Sequence, residues 1–165
     1  MKTIKFIATL ALLAGGNASF GHENMPHHNR NAPVVKEQKP WGIAGDAQAA
    51  ARTITLRMTD DMRFTPRHIE VREGETVRLR AENKGQVLHE IVIGTKAELD
   101  AHAEMMAKHP GMEHDEPYMA HVAAGKKGDI VWQFNRAGQF DFACLIAGHY
   151  QAGMTGTITV LPRKP

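Results

Sequence analysis

Hydrophobic and polar residues alternate along several short segments between residues 52 and 161, which is the pattern of half-buried β-strands. In the first segment, Ile54, Leu56 and Met58 face one way and polar residues lie between them. Further extended segments span residues 64–71, 77–81, 87–93, 130–134, 139–144 and 155–161, and Pro66 keeps the first of these from being a central strand. About seven short strands separated by turn signals predict an all-β fold, a Greek-key antiparallel β-sandwich.

One segment departs from the strand pattern and predicts a short inserted helix. Thr95 and Glu98 stand three residues apart, as the two partners of a capping box do, and residues 97–109 are rich in Ala, Glu, Met and Leu. Pro110 and Gly111 then stop the helix, and a polar loop follows to about His121. We therefore expect a helical insertion over residues 95–121 between two strands of the sandwich.

The first residues have the pattern of a secretory signal peptide. Lys2 and Lys5 form a basic start, residues 6–14 are apolar, and small residues follow up to Ala18. The apolar stretch is too short to span a bilayer as a helix. We expect cleavage after Ala18, with Gly21 as the alternative, and export to the periplasm.

Residues 19–50 show little hydrophobic periodicity and contain several proline and glycine residues, so they predict a flexible N-terminal arm. The arm begins with a histidine- and methionine-containing cluster: His22, Met25, His27 and His28. The remaining residues, 51–165, are enough for one domain with a hydrophobic core.

Charge and cysteine content exclude some classes of protein. The formal net charge is +2, and loss of Lys2 and Lys5 with the signal peptide brings it to zero. No clustered basic surface of the kind that binds nucleic acid is evident. Cys144 is the single cysteine, so an exported chain cannot form an internal disulfide, and its thiol is buried, intermolecular, a nucleophile or a metal ligand.

Cys144 opens a C-x4-H-x4-M motif that ends with His149 and Met154. Thiolate, imidazole and thioether are the ligand types of a trigonal copper site with a weak axial methionine. Gly148 and Gly153 precede the second and third of these residues and can adopt the backbone angles needed to fold the loop around an ion. The motif therefore predicts a mononuclear copper site.

The loop supplies only one histidine, and a site of this kind needs two. His89 is the best candidate for the second, because it lies in an apolar segment that can form a strand beside the one ending at Cys144. Taken alone, each of these residues is more often a core residue than a ligand. Their combination favours copper.

At these residues the chain resembles the cupredoxins, the small blue-copper proteins. The resemblance covers roughly residues 52–161 and rests on residues 62–66, on the 83–85 turn leading to His89, and on the 144–154 loop. It implies a cupredoxin-like sandwich and one type 1 copper, Cu(I) or Cu(II), bound by His89, Cys144, His149 and Met154. One departure is Glu90, where the family often has Asn or Ser, and it puts in question a side-chain hydrogen bond to the thiolate.

The predicted insertion carries a second set of residues that suit copper. His102, Met105 and His109 share one stripe of the helix with Met106 beside it, and further residues of these types follow: Met112, His114, Met119 and His121. Two interpretations stay open. Either these residues and the arm cluster bind additional copper, or the helix packs on the sandwich through Leu99, Ala103 and Met106 with its histidines solvated.

Within the family, the His/Met-rich arm and insertion make the chain most similar to exported copper-tolerance cupredoxins of the CopI kind. The predicted function is one-electron copper chemistry that serves copper tolerance, by binding or oxidising periplasmic copper. The alternative is a general electron carrier between periplasmic redox proteins, with a redox partner docking near His149. A thiol enzyme, a multicopper enzyme and a metal-free structural sandwich are less favoured. We expect a monomer that has no membrane span and does not bind nucleic acid.

Overall fold

The computed structural model describes residues 36–110, 112 and 114–164. Its strands are β1 (Ile43–Ala44), β2 (Arg52–Thr59), β3 (Arg63–Thr65), β4 (His68–Arg72), β5 (Glu75–Asn83), β6 (His89–Gly94), β7 (Met119–Val122), β8 (Lys127–Phe134), β9 (Gly138–Ala143) and β10 (Thr155–Leu161). They form two five-stranded sheets, ordered β1-β8-β5-β2-β3 and β4-β10-β9-β6-β7. The predicted two-sheet β fold with one inserted helix is confirmed.

The strand directions differ from the antiparallel expectation at two places. β2 pairs with β5 and β4 pairs with β10 in parallel, while the other pairings are antiparallel. The reason is the connection at Pro66, where the chain leaves the first sheet after β3 and enters the second as β4. Alternation alone predicts one extended segment over residues 64–71. In the structure this segment contributes to two edge strands, β3 in the first sheet and β4 in the second. Alternation reports which face of a strand is buried, and it carries no information on strand direction.

The main core lies between the sheets and consists of the inward-facing residues of both. Phe64 of the first sheet meets Phe142 of the second edge-on, with ring centroids 5.0 Å apart. The largest fully buried side chains of this core are Trp132, Phe64, Phe134, Phe142, Leu56, Met58, Leu79, Ile91, Ile93, Ile130 and Met154. Cys144 belongs to the same cluster, so the predicted metal-binding loop begins inside the core.

Helix α1 spans Lys96–Lys108 and begins with the predicted capping box. The Thr95 side chain accepts the Glu98 N–H, and the Glu98 carboxylate accepts the Thr95 N–H. The helix buries Leu99, Ala103 and Met106 against a second, smaller core that includes Leu145. The packing predicted for these three residues is thus confirmed, and it places the helix beside the start of the 144–154 loop.

The folded domain begins before residue 51. Trp41 is buried, and its carbonyl oxygen accepts the Trp132 indole N–H at 3.1 Å. β1 pairs with β8 at the edge of the first sheet. The C-terminal part of the segment predicted as an arm therefore packs on the sandwich, because the buried Trp41 and Ala44 anchor it.

None of the helices among the described residues has the length and apolar character needed to cross a membrane.

Candidate metal centre

Three of the four predicted ligands converge at one end of the sandwich. One nitrogen each of His89 and His149 and the sulfur of Cys144 lie within 4.8 Å of one another. His89 begins β6 and Cys144 follows β9, and these two strands pair side by side. His149 arrives from the loop between β9 and β10.

One nitrogen of the His89 ring contacts a carboxylate, and the other has no hydrogen-bond partner among the described residues. Its Nε2 lies 3.0 Å from Oδ1 of Asp60, and a carboxylate can only accept, so Nε2 carries the proton. Nδ1 then presents a lone pair, and it is buried without a hydrogen-bond partner among the described residues. A buried imidazole lone pair with no partner is costly in a metal-free fold and is what an ion in this position would satisfy.

Cys144 is fully buried, and burial raises the pKa of its thiol to about 12. Its Sγ lies 3.2 Å from Nδ1 of His149 and accepts the Glu90 backbone N–H at 3.4 Å. The pKa of His149 is lowered by burial and then by the neighbouring His89. At neutral pH the centre therefore holds a thiol and a neutral His149 imidazole, and a metal ion that binds the sulfur must displace its proton.

The loop from Cys144 to Met154 is closed by its own backbone. The Cys144 N–H donates to the Met154 carbonyl at 3.0 Å, and the Met154 N–H donates to the His149 carbonyl at 3.1 Å. Gly148 and Gly153 have φ values of 90° and 89°, as the sequence predicts for a loop that folds around an ion. Met154 itself is fully buried in the main core.

Two contacts from outside fix this loop. Arg63 donates through Nη1 to the Ala152 carbonyl at 3.0 Å. Tyr150 donates its hydroxyl to Oδ1 of Asp100 on helix α1 at 2.6 Å. Because Arg63 comes from β3 and Asp100 from the helix, the loop is held from both sides.

Asp60 contacts the candidate site through His89, and no pattern in the sequence indicates this contact. Besides the His89 ring, it accepts the backbone N–H of Gln86 at 2.7 Å. This bond, and next the His89 bond, lower the pKa of the carboxyl group. A Cβ added to Gly85 would lie 1.8 Å from Oδ1 of Asp60, so the close approach of the carboxylate depends on glycine at this position.

Glu90 does not use its side chain on the thiolate. Only its backbone N–H reaches Cys144. The buried carboxylate instead accepts the Leu145 N–H at 2.7 Å and lies 2.9 Å from Nε2 of His121. Hydrogen bonding to Glu90 raises the pKa of His121. The family's Asn or Ser is thus replaced by a group that links β6, the start of the metal-binding loop and β7.

The residues of the predicted His/Met-rich insertion divide into three groups: core residues, exposed residues and histidines that contact another side chain. Met106 and Met119 are core residues, whereas Met105, His109 and Met112 are exposed. His121 contacts Glu90, and the rings of His102 and His114 lie close together in a tilted arrangement. The arm residues His22, Met25, His27 and His28 lie outside the described residues.

This fold and this donor set define a class of protein, the small copper-binding β-sandwiches. Residues 50–161 match the family model of copper binding proteins, plastocyanin/azurin family. The chain belongs to this family, the cupredoxins. Copper is the metal of the family, and the predicted copper cofactor is confirmed.

Comparison with individual relatives gives a narrower similarity within the family. The chain is 49% identical over 143 residues to the copper-resistant cuproprotein CopI of Rubrivivax gelatinosus, covering 87% of this chain and 86% of the relative. It is 34% identical over 151 residues to a protein of the same name in Pseudomonas aeruginosa, covering 74% and 83%. The fold matches dithionite-reduced auracyanin from Roseiflexus castenholzii with a TM-score of 0.59 at 22% identity, over 68% of this chain and 99% of that one.

Proposed function

We propose that this chain is an exported cupredoxin that serves copper tolerance through one type 1 copper bound by His89, Cys144, His149 and Met154. The observation that carries the proposal is the convergence of the Cys144 sulfur with one nitrogen each of His89 and His149, together with a His89 Nδ1 that has no hydrogen-bond partner in the described part of the chain. One thiolate, two imidazoles and a thioether are the donor set of such a centre. When bound, copper supplies one-electron exchange between Cu(I) and Cu(II).

Contacts within the protein fix the positions of the proposed donor side chains. Asp60 fixes the tautomer and orientation of His89, as carboxylates commonly do for ligating histidines. The Glu90 N–H stabilises negative charge on the Cys144 sulfur. Because the strands and the loop bonds set the donor positions before metal arrives, little reorganisation is needed when the charge of the centre changes.

Copper tolerance is favoured by two lines of support. The relatives from Rubrivivax gelatinosus and Pseudomonas aeruginosa are both named copper-resistant cuproproteins. In addition, Met105 and Met112 are solvent-exposed thioethers beside the sandwich, and a simple electron carrier has no need of them. Thioethers suit Cu(I), which is the form that a protein acting on excess copper would meet.

A general electron carrier is the second candidate. His149 is half-buried next to the exposed residues Ala147 and Gly148. On the neighbouring loop, the side chains of Val87 and Leu88 are 44% and 43% exposed. An apolar rim around a ligating histidine is a surface on which a redox partner can dock close to the metal.

The burial of Cys144 and its raised thiol pKa disfavour an enzymatic role for this residue. The thiolate is the nucleophilic form of cysteine, and burial raises the pKa of this thiol to about 12. We therefore propose a protein without catalytic turnover of an organic substrate, and we leave oxidation of Cu(I) as the one reaction to be tested.

The metal site is tested by titrating the mature protein with Cu(II) and recording optical and paramagnetic resonance spectra. We expect an intense visible thiolate-to-copper charge-transfer band that saturates at one ion and is absent in Cys144→Ser. The control is His109→Ala, an exposed histidine of the same chain, which should retain the band. A Cys144→Ser protein that keeps the band contradicts the ligand assignment.

The physiological role is tested in a deletion strain grown on excess copper. The tolerance proposal expects impaired growth that the wild-type gene restores and the Cys144→Ser gene does not. Unchanged growth together with slowed periplasmic electron transfer supports the carrier instead. Cell fractionation tests export, with the mature chain expected in the periplasm.

A further inference from the structure

His102 and His114 form a histidine pair outside the copper centre. His102 projects from helix α1 and His114 from the loop before β7, and their ring centroids lie 4.7 Å apart at an angle of 42°. The pair proposed to bind copper, His89 and His149, has nearly the same geometry, with centroids 5.0 Å apart at 55°. Two separate parts of the chain thus bring imidazoles together in the same way.

Each ring of the His102–His114 pair has a nitrogen without a partner. Nε2 of His102 and Nδ1 of His114 are both buried, and neither has a hydrogen-bond partner among the residues that the structure describes. Two such nitrogens in neighbouring rings leave two unsatisfied polar groups, which is unfavourable in a metal-free fold. A single ion that accepts both lone pairs removes this cost.

The surroundings suit a cation. Burial and then His114 lower the pKa of His102, so its ring is neutral and able to ligate at neutral pH. Glu90 and His121 act electrostatically on His102, and Asp115 lies 3.6 Å from His121. Carboxylates on this side therefore compensate positive charge that an ion brings.

We propose that His102 and His114 are the protein ligands of a second metal site, which takes a divalent cation with a preference for imidazole and binds Cu(II) most tightly. Imidazole suits Zn, Cu, Ni and Fe, and affinity among the first-row divalent ions is highest for Cu(II). The remaining coordination positions are taken by water. Exposed Met105, one turn of helix from His102, adds a thioether nearby for the reduced ion.

The site rests on residues that the copper centre does not use, and His121, which acts electrostatically on His102, is linked to that centre by polar contacts. His121 contacts Glu90, the Glu90 carboxylate accepts the Leu145 N–H, and Leu145 follows Cys144. An ion at His102 and His114 therefore lies on the side of the chain that adjoins the start of the metal-binding loop. A protein that handles excess copper gains a second binding position beside its redox centre.

The test is a Cu(II) titration of the mature full-length chain in which His22, His27 and His28 are replaced by Ala, so that the arm contributes no imidazole. We expect two ions per chain, one with the charge-transfer band and one with a paramagnetic resonance signal of nitrogen-ligated copper. His102→Ala/His114→Ala should lose the second ion and keep the band. Because His114 lies in a loop, His114→Ala alone should weaken the second ion without disturbing the helix.

The matched control is His68→Ala/His109→Ala, which removes two exposed histidines and should still bind two ions. If the His102→Ala/His114→Ala protein binds two ions, or if the control also loses the second, the proposal is wrong. A second ion that persists in Cys144→Ser supports this site independently of the copper centre. If the arm-substituted protein with Cys144 intact binds the second ion but shows no band, that result would count against the proposed function alone.

Discussion

At the level of a single residue, Cys144 would set the chemistry of copper loading in the proposed site. Its thiol has a pKa raised to about 12 by burial, and only the thiolate binds the metal well. The His149 ring is ready to ligate at neutral pH because burial lowers its pKa, and the contact between Nε2 of His89 and Asp60 leaves Nδ1 of His89 as the ligating nitrogen. The copper ion that binds at this centre must therefore release one proton from sulfur.

The first prediction is a pH-dependent affinity for Cu(II). Between about pH 7 and pH 10 the apparent affinity should rise about tenfold per pH unit, since the thiol stays protonated up to its pKa of about 12. Calorimetry in two buffers of different ionisation enthalpy should count one proton released per ion at pH 7.5. An affinity independent of pH over this range would show that the thiol is already ionised or is not a ligand.

A second prediction concerns Asp60. Asp60→Asn keeps the shape of the side chain but removes the charge that orients the His89 ring, so copper affinity should fall by about 10–100-fold while the charge-transfer band remains. Competition with a chelator of known affinity measures the change. Asp46→Asn is the control, because Asp46 is an exposed aspartate that pairs with Lys36. Equal copper affinities of Asp60→Asn and Asp46→Asn would show that Asp60 does not position the His89 ring.

At the level of elements, helix α1 depends on its capping box. Thr95→Ala removes the acceptor for the Glu98 N–H, and loss of such a cap costs about 1 kcal/mol. Urea unfolding of the metal-free protein should show this decrease in the free energy of unfolding. Glu104→Ala, an exposed change within the same helix, should alter it by less than about 0.5 kcal/mol. If Glu104→Ala lowered the free energy of unfolding more than Thr95→Ala does, the cap would not be what stabilises the insertion.

Strands β6 and β7 are joined by the Glu90–His121 contact, and this contact makes their stability depend on pH. The folded pKa of His121 is raised above its ordinary value of 6.5, so the protonated ring stabilises the native state. That contribution is complete below pH 6.5 and is lost as the pH rises through the folded pKa. His121→Gln should remove this part of the pH dependence in thermal melts, whereas the exposed-site change His109→Gln should keep it.

At the level of the whole molecule, copper should stabilise the fold because its donors come from distant parts of the chain. A ligand that binds only the folded state adds about 2.7 kcal/mol at a concentration one hundred times its Kd. Cu(II) should therefore raise the melting temperature of the wild-type protein by several degrees and that of Cys144→Ser by much less. Equal stabilisation of both proteins would assign the effect to copper bound elsewhere.

The local features were predictable from the sequence because each depends on neighbouring residues. Alternation along β2, the Thr95–Glu98 capping box and the positive φ of Gly148 and Gly153 follow from short-range patterns. The C-x4-H-x4-M spacing likewise identifies the copper chemistry, because its ligand types lie within one loop. Among the predicted ligands, only His89 lies far from the loop in sequence. Its position in an apolar segment was the signal that predicted it as the fourth ligand.

What only the tertiary structure decided involves residues far apart in the chain. Asp60 meets His89, Glu90 bridges Leu145 and His121, and His102 faces His114 across a helix and a loop. These contacts follow from strand order and direction, including the two parallel pairings, and alternation of hydrophobic residues does not encode either. The sequence by itself thus determined the metal, the class of fold and the ligand types, while packing determined which side chains hold the ligands in place and which histidines form a pair.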